Sequence, residues 1–182
     1  HTGNEQFGAI SYEPGCALNP LKFLLGLAKQ INLKNVKVYE NTPITNIIDK
    51  GDYIYSYSNE KKIKSKKVVV GCNGYLDKLL SKIRNRYMPI NNYVIATEPL
   101  GEKKARELIK NNHAVCDTRF IIDYYRFSED WRLIFGGGET LTSMYLKNSQ
   151  NFVQKRMLKV FPQLEKYKID YSWGGTLAIT IN

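Results

Sequence analysis

Residues 121–138 combine aromatic, charged and glycine residues in a pattern that could hold a small molecule. Ile121–Phe127 is rich in β-branched and aromatic residues, Ser128–Asp130 is turn-forming, and Arg132–Phe135 is a returning strand. The return strand runs into Gly136–Gly138, where the backbone can approach another group because no Cβ intervenes. Tyrosines beside a guanidinium and a glycine run suit a flat or cationic ligand. The alternative is a hairpin in a mixed core, with Arg126 as a solvated strand end.

Alternation along the first strand of this hairpin predicts which of its side chains share a face. Successive side chains of a strand point to opposite sides of the sheet. One face should therefore carry Ile122, Tyr124 and Arg126, and the other Asp123, Tyr125 and Phe127. Each face receives a tyrosine, but only one receives the arginine.

A second informative stretch is Val68–Tyr75, whose sequence is VVVGCNGY. Its continuous apolar run is typical of a fully buried parallel strand, and it ends in the small residues Gly71–Gly74. A helix is predicted to follow over about residues 76–84. Ligands of open α/β sheets gather where strands end and helices begin, so this junction is a candidate cofactor contact.

The remaining pattern predicts an α/β half followed by an α+β half. In the first half, Asn19–Pro20 reads as the cap and first position of a helix. In the second half, strands alternate in the antiparallel manner between flanking helices. The predicted helices are 21–33, 101–109 and 150–161, and the further predicted strands are 7–12, 36–39, 42–48, 53–58, 93–96 and 171–176.

Composition excludes several classes of function. The 182 residues carry a net charge of +10, but the lysines are scattered except in Lys61–Lys67, which resembles an exposed hairpin edge, so we expect no nucleic-acid partner. Three separated cysteines and two histidines predict neither a disulfide framework nor a metal site, and favour a reducing, cytoplasmic location. No apolar run reaches the length of a membrane span. The irregular ends lead us to expect a piece of a longer protein.

Several linked motifs follow one another in order along nearly the whole chain. They are residues 15–28, 39–44, 71–76, 88–89, 96–100, 123–128, 132–138, 161–164 and 169–175. Together they resemble the FAD-dependent amine and amino-acid oxidases of the D-amino-acid oxidase type, closest to the gamma-glutamylputrescine oxidase branch, and cover the middle of the family's length.

The resemblance implies a domain plan. Residues 1–87 would be part of the FAD-binding sheet domain, residues 88–170 the substrate-binding antiparallel sheet domain, and residues 171–182 the start of the return to the FAD domain. It implies an oxidase that transfers hydride from the carbon beside an amine to the flavin, with O2 as acceptor. The family's Gly-x-Gly-x-x-Gly fingerprint is missing here, so we expect FAD in the full-length protein and not in this piece alone.

The resemblance also assigns roles to individual residues. Tyr124 would be the catalytic tyrosine and would contact substrate together with three neighbours in the substrate domain. The substrate-binding set is Tyr124, Tyr125, Arg126 and Trp173, and the FAD-binding set is Ile44, Cys72, Asn73, Gly74, Gly174 and Gly175.

The substrate expectation follows from a departure from the family pattern. Amino-acid oxidases of this family carry an arginine for the substrate carboxylate just after Trp-x-Gly, where this chain has Thr176–Ala178. A plain amine related to gamma-glutamylputrescine is therefore favoured over an amino acid. The alternatives are a flavin dehydrogenase of the same fold with another electron acceptor, and a binding module without catalysis.

Overall fold

The computed structural model describes residues 8–12, 15–31, 33–59, 61–141 and 144–180. The chain divides into two compact units. One comprises the residues up to Ala17 together with Met88–Ile179, and the other comprises Leu18–Tyr87 with the residues from Thr180 onward. The functional domain boundaries expected from the sequence remain a prediction.

The second unit opens with helix α1 (Pro20–Lys29). Asn19 caps it, because its Oδ1 accepts a hydrogen bond from the Lys22 amide at 3.0 Å, and Pro20 occupies the first helical position. The predicted start is confirmed, but the helix ends at Lys29 and not at residue 33. None of its residues is buried.

A three-stranded antiparallel sheet follows, in the order β1 (Asn46–Asp49), β2 (Ile54–Ser58) and β3 (Lys61–Ser65). The strand predicted over 53–58 is confirmed, whereas residues 36–39 form no strand. The lysine cluster forms the edge strand, as its composition predicts. There the ammonium of Lys64 lies 3.7 Å from the Tyr53 ring centroid.

The prediction of a buried parallel strand at Val68–Cys72 is wrong. These residues adopt no regular structure, and Val69 is 94% exposed. The physical reason is that a parallel strand needs a hydrogen-bonded neighbour, and no described strand pairs with this segment. The helix predicted at 76–84 is also shorter. A 3-10 turn (Asn73–Tyr75) precedes a single turn, α2 (Ser81–Arg84).

The first unit is built on a five-stranded sheet with the strand order β5-β6-β7-β4-β8. The paired strands β4 with β7, β5 with β6, and β6 with β7 are antiparallel, as the sequence predicts. The element bounds are β4 (Tyr87–Thr97), α3 (Glu102–Leu108), β5 (Val115–Cys116), β6 (Asp123–Phe127), β7 (Leu133–Thr140), α4 (Ser149–Val160), a 3-10 turn (Pro162–Leu164) and β8 (Ile169–Thr180). Within the described residues, no helix is both long and apolar enough to cross a bilayer.

The hairpin of β6 and β7 forms as predicted, but its second strand is longer. The turn closes through the Ser128 amide, which donates to the Arg132 carbonyl at 3.0 Å. The glycine run does not end the strand, because β7 continues through Gly136–Gly138 to Thr140, with β6 on one side and β4 on the other. The glycines therefore lie inside the sheet.

The core of this unit involves one face of the sheet and helix α4. Tyr125 is 2% exposed, stacks on Phe135 with ring centroids 5.4 Å apart, and meets Phe161 edge-on at 5.0 Å. Val153 and Met157 of α4 belong to the same buried cluster. Each large apolar side chain buried in this way contributes about 1.5–3 kcal/mol, so this face stabilises the fold.

A buried carboxylate ties the start of β6 to α4. Asp123 is 1% exposed, and its Oδ1 accepts a hydrogen bond from Arg156 Nε at 2.7 Å. Arg119 pairs with its other oxygen, and Arg156 also donates to the Ile121 carbonyl at 3.0 Å. Gly137 lies directly below, where a Cβ would come within 2.2 Å of the Asp123 carboxylate.

We predict that Asp123→Ala lowers the free energy of unfolding by about 3 kcal/mol, because it leaves two guanidinium groups without the buried partner that binds them. Urea unfolding of the variant and the parent protein measures this change. The matched control is Glu107→Ala, which removes an exposed helical ion pair with Lys104 and should cost about 0.5 kcal/mol. Equal losses in the two variants would contradict a structural role for the Asp123 cluster.

Candidate functional site

Tyr124 lies across the sheet face opposite to the buried core. The burial pattern of β6 alternates as predicted, with Asp123 and Tyr125 buried and Tyr124 half-buried between them. Gly136 is its neighbour on β7, and a Cβ at that glycine would come within 2.1 Å of the Tyr124 ring. The ring can therefore lie flat over β7 only because residue 136 has no side chain.

The Tyr124 hydroxyl reaches the strand beyond Gly136. It donates a hydrogen bond of 2.6 Å to Oδ1 of Asn92 on β4. The adjacent Tyr93 is 1% exposed and packs against Phe152 of α4 with centroids 6.2 Å apart, so Asn92 points to the opposite side of the sheet. Tyr124 and Asn92 thus meet on one face, across an intervening strand.

A one-residue bulge in β7 brings Glu139 to the same face. Val94 is opposite Gly136, but Asn92 is opposite Glu139, so β7 contains one more residue than β4 over this interval. Gly138 provides the bulge with a φ of 85°. Thr140 then faces the core side, where its hydroxyl lies 3.0 Å from that of Tyr93. Glu139, the residue before it, faces the other way.

Strand β8 adds Trp173 to this face. A Cβ at Gly174 would lie 2.9 Å from the Tyr93 ring, and the Thr176 hydroxyl donates to Asn91 Oδ1 at 2.8 Å, so both positions face the core side. By alternation, Trp173 and Gly175 face the other side. We call this surface the tyrosine face; it includes Asn92, Tyr124, Glu139 and Trp173.

The tyrosine face is broad, and its centre is made of small residues. Three strand spacings separate β6 from β8, which corresponds to roughly 14 Å between Tyr124 and Trp173 at 4.7–4.9 Å a strand. Gly136 and Val94 are paired at neighbouring positions of β7 and β4 between them, and the Tyr124 ring covers Gly136. The half-buried Val94 and the part of the face towards Trp173 are left to accept a planar molecule between the two aromatic side chains.

Electrostatics keep Tyr124 protonated. Burial raises the pKa of Tyr124 above its ordinary value of 10.0, and the nearby charges of Glu139 and Cys116 raise it further. The phenol is therefore a hydrogen-bond donor near neutral pH and not a proton acceptor.

Two of the predicted substrate residues lie on opposite sides of β6. Arg126 shares the tyrosine face, two residues along the strand from Tyr124, and is half-buried. Tyr125 instead packs in the core between Phe135 and Phe161, so the structure does not bring it together with Tyr124. A side chain that is 2% exposed has no surface left for a ligand, and we leave Tyr125 out of the site.

The predicted cofactor residues divide between the two units. In the second unit, Ile44 precedes β1, Cys72 precedes the 3-10 turn, and Asn73 begins that turn with a φ of 49°. Gly74, within the same turn, is half-buried. Of the β8 pair, Gly175 is on the tyrosine face and Gly174 on the core side. Contact of these residues with FAD remains a prediction.

Sequence reasoning missed Asn92 and Glu139. Asn92 follows another asparagine inside an otherwise apolar strand, and a buried polar residue there is a signal that it has a partner. Glu139 was missed because strict alternation from Phe135 would place it on the core side. The glycine run that precedes it was the available sign of a bulge. No group of His, Cys, Asp and Glu in the described part of the chain could hold a metal ion.

Comparison with known proteins identifies the family. The model of the family described as "DAO: FAD dependent oxidoreductase" matches residues 3–181. The chain belongs to this family. Membership agrees with the resemblance seen in the sequence, and with the mixed fold of antiparallel sheets and helices.

Curated relatives of the DAO family are similar along the whole chain. A probable oxidoreductase OrdL of Haemophilus influenzae is 36% identical over 100% of this chain and 42% of its own length. The gamma-glutamylputrescine oxidoreductase of Escherichia coli is 35% identical over 96% of this chain and 41% of its length. The chain thus spans about two fifths of the curated relatives that it matches.

Solved structures of two oxidases and a dehydrogenase share the fold. A glycine oxidase from Bacillus cereus superposes with a TM-score of 0.60 at 19% identity, over 79% of this chain and 39% of that protein. An iminodiacetate oxidase from Chelativorans gives 0.59 at 13% identity, over 79% and 38%. An L-proline dehydrogenase from P. horikoshii gives 0.54 at 19% identity, over 78% and 39%.

We predict that Tyr124 makes stability sensitive to alkaline pH. Its folded pKa is above the unfolded value of 10.0, so its contribution is fully present below that pH and is lost as pH rises through 10.0 towards the folded pKa. Urea unfolding at about pH 8 and about pH 11 measures the loss. Tyr124→Phe should lose less stability over this interval than the parent protein. An identical loss in both proteins would contradict the raised pKa.

Proposed function

We propose that the protein containing this chain oxidises a carbon–nitrogen bond of a small amine, with the tyrosine face as part of its substrate site. The observation that supports this proposal most directly is that Tyr124, Asn92, Glu139 and Trp173 line one face of the sheet in a chain of the FAD-dependent DAO family. FAD supplies the hydride acceptor of such a reaction, while protein groups bind and orient the amine. We propose O2 as the final acceptor.

The residues of the tyrosine face fit a planar ring system. Val94 and Gly175 give a flat floor, which is bordered by Trp173 and by the Tyr124 ring that covers Gly136. The chain contains no Gly-x-Gly-x-x-Gly sequence, so these residues do not supply the usual cradle for the cofactor's phosphates. The contribution that we propose for this chain is therefore to the reacting end of the site. FAD retention by this piece alone is not expected.

Tyr124 is suited to position the substrate and not to accept its proton. Because the pKa of its phenol is raised, the hydroxyl keeps its hydrogen and donates it to Asn92. An amine nitrogen or carbonyl oxygen of the substrate can hydrogen-bond to the Tyr124 hydroxyl or to the Asn92 amide at the edge of the apolar floor. The side chains thereby fix the orientation of the substrate and exclude water from the floor.

The substrate that we propose is an amine of the gamma-glutamylputrescine type. The positions after Trp-x-Gly lack an arginine, and Thr176 is hydrogen-bonded to Asn91 on the core side. An α-amino acid would therefore have no bidentate partner there. Arg126 lies two residues from Tyr124, roughly 7 Å along the strand, and could bind a carboxylate farther from the reacting nitrogen. A long amine with a distant acidic group fits this arrangement. A cytoplasmic location remains a prediction.

The function is tested by oxygen consumption of the purified full-length protein with monoamines, acylated diamines and α-amino acids. We expect hydrogen peroxide with acylated diamines and little turnover of α-amino acids. Reduction of an artificial dye by amines without peroxide would instead indicate a dehydrogenase that passes electrons to another acceptor. A colourless protein that reduces neither O2 nor dye would indicate a binding module without catalysis and would contradict the proposal.

We predict that Tyr124→Phe in the full-length protein lowers kcat/KM for the amine about tenfold, because one positioning hydrogen bond is worth about 1.4 kcal/mol. FAD content, measured by flavin absorbance, should stay at the parental level. Tyr167→Phe is the matched control, since Tyr167 packs against the core and does not contribute to the tyrosine face. Loss of FAD with unchanged turnover per flavin would contradict the placement of Tyr124 at the substrate.

A further inference from the structure

Glu139 is an acidic residue on the tyrosine face, next to an amide and near an aromatic side chain. It is half-buried and lies opposite Asn92, the residue that accepts the Tyr124 hydrogen bond. Among the ion pairs of the described residues, none involves Glu139. Three other buried or half-buried acids belong to the strands of this unit or directly follow them: Asp117 and Asp123 are bound by arginine, and Glu98 accepts a hydrogen bond from the Lys168 amide.

The backbone is built to present this carboxylate. If β7 alternated strictly from Phe135 through residue 139, Glu139 would face the core side together with Phe135 and Gly137. The bulge reverses its direction, and Gly138 makes the bulge possible with a φ of 85°. A side chain at residue 138 would also collide with the Phe152 ring, since a Cβ would lie 2.3 Å from it. β-bulges commonly redirect a side chain beside a site, and here the redirected residue is charged.

The surroundings of Glu139 favour a cation as its partner. A partly buried carboxylate loses hydration and is stabilised by a positive charge within hydrogen-bonding distance. The neighbouring groups, the Asn92 amide and the Tyr124 phenol, are neutral and can share an N–H donor from a ligand. Arg126 is the cationic side chain that we place on this face. It lies farther along the strands from Glu139 than Tyr124 does, because Arg126 pairs with Ile134 and Tyr124 pairs with Gly136.

We propose that Glu139 binds an ammonium group of the substrate, so that the site selects amines that carry positive charge. This inference rests on the proposed function and deepens it. The ligand class is an alkylammonium compound such as a diamine or its mono-acylated derivative. Glu139 and Arg126 lie on either side of Tyr124 along the strands. Glu139 would then bind the ammonium group of the substrate and Arg126 its carboxylate, and the distance between the two residues sets the length of the preferred substrate.

Binding is tested without turnover by NMR of the full-length holoenzyme labelled with 13C at tyrosine Cζ. The Tyr124 signal is identified by its loss in Tyr124→Phe. Addition of 1,4-diaminobutane should shift this signal, whereas 1,4-butanediol, which is similar in length and neutral, should not. Glu139→Gln should abolish the response, and Glu129→Gln, in the exposed turn of the same hairpin, should preserve it. A response of equal size in Glu139→Gln, or none in the parent protein, would overturn the inference.

Kinetics separate this inference from the proposed function. Glu139→Gln should raise KM for a mono-acylated diamine about tenfold with kcat changed less than twofold, and Glu139→Asp should recover part of the loss. If amines are oxidised but KM is unchanged in Glu139→Gln, the ammonium site is wrong and the proposed function stands. If no amine is oxidised but 1,4-diaminobutane still shifts the Tyr124 signal through Glu139, the proposed function is wrong and the ammonium site stands.

Discussion

The site depends on a single close approach, that of the Tyr124 ring to the backbone of Gly136. A ring can cross a neighbouring strand and bond to the next one only where no side chain rises between them. This contact brings the phenol to Asn92, and the partial burial of Tyr124 raises the pKa of its phenol. Any larger residue at position 136 would displace the ring and remove both effects together. The position of the Tyr124 ring in the proposed site therefore depends on residue 136 having no Cβ.

The two faces of the sheet have separate tasks. On one face Tyr125, Phe135 and Phe161 form aromatic contacts beneath α4, and Asp123 binds two arginines. On the other face small residues leave room between Tyr124 and Trp173. Neighbouring residues of β6 therefore serve opposite purposes, with the buried ones stabilising the fold and the half-buried ones facing a ligand. The bulge in β7 shifts the alternation of the two faces by one residue, so that Glu139 lies on the tyrosine face and not on the core side.

The hairpin could be predicted from sequence because its pattern is local. The alternation of Asp123–Phe127 fixes the faces of Tyr124 and Tyr125, and the structure confirms both. The run Val68–Cys72 could not be predicted in the same way, since apolar content alone does not reveal whether a neighbouring strand exists to pair with it. The face occupied by Glu139 could not be predicted either, because it depends on the register between β4 and β7, which are far apart in the chain. Family resemblance supplied the cofactor, which the described residues alone would not have suggested.

The bulge at Gly138 has a consequence for how this scaffold can diversify. If β7 lost the bulge but kept every residue, residue 138 would pair with Asn92 and Glu139 with Asn91, so Glu139 would turn to the core side, while the pairing of Phe127–Asp123 with Leu133–Gly137 would be untouched. A substitution at Gly138 that straightens β7 could thereby remove the carboxylate from the tyrosine face without altering the hairpin of β6 and β7. The preference of the tyrosine face for charged ligands could then change in one evolutionary step without loss of the fold.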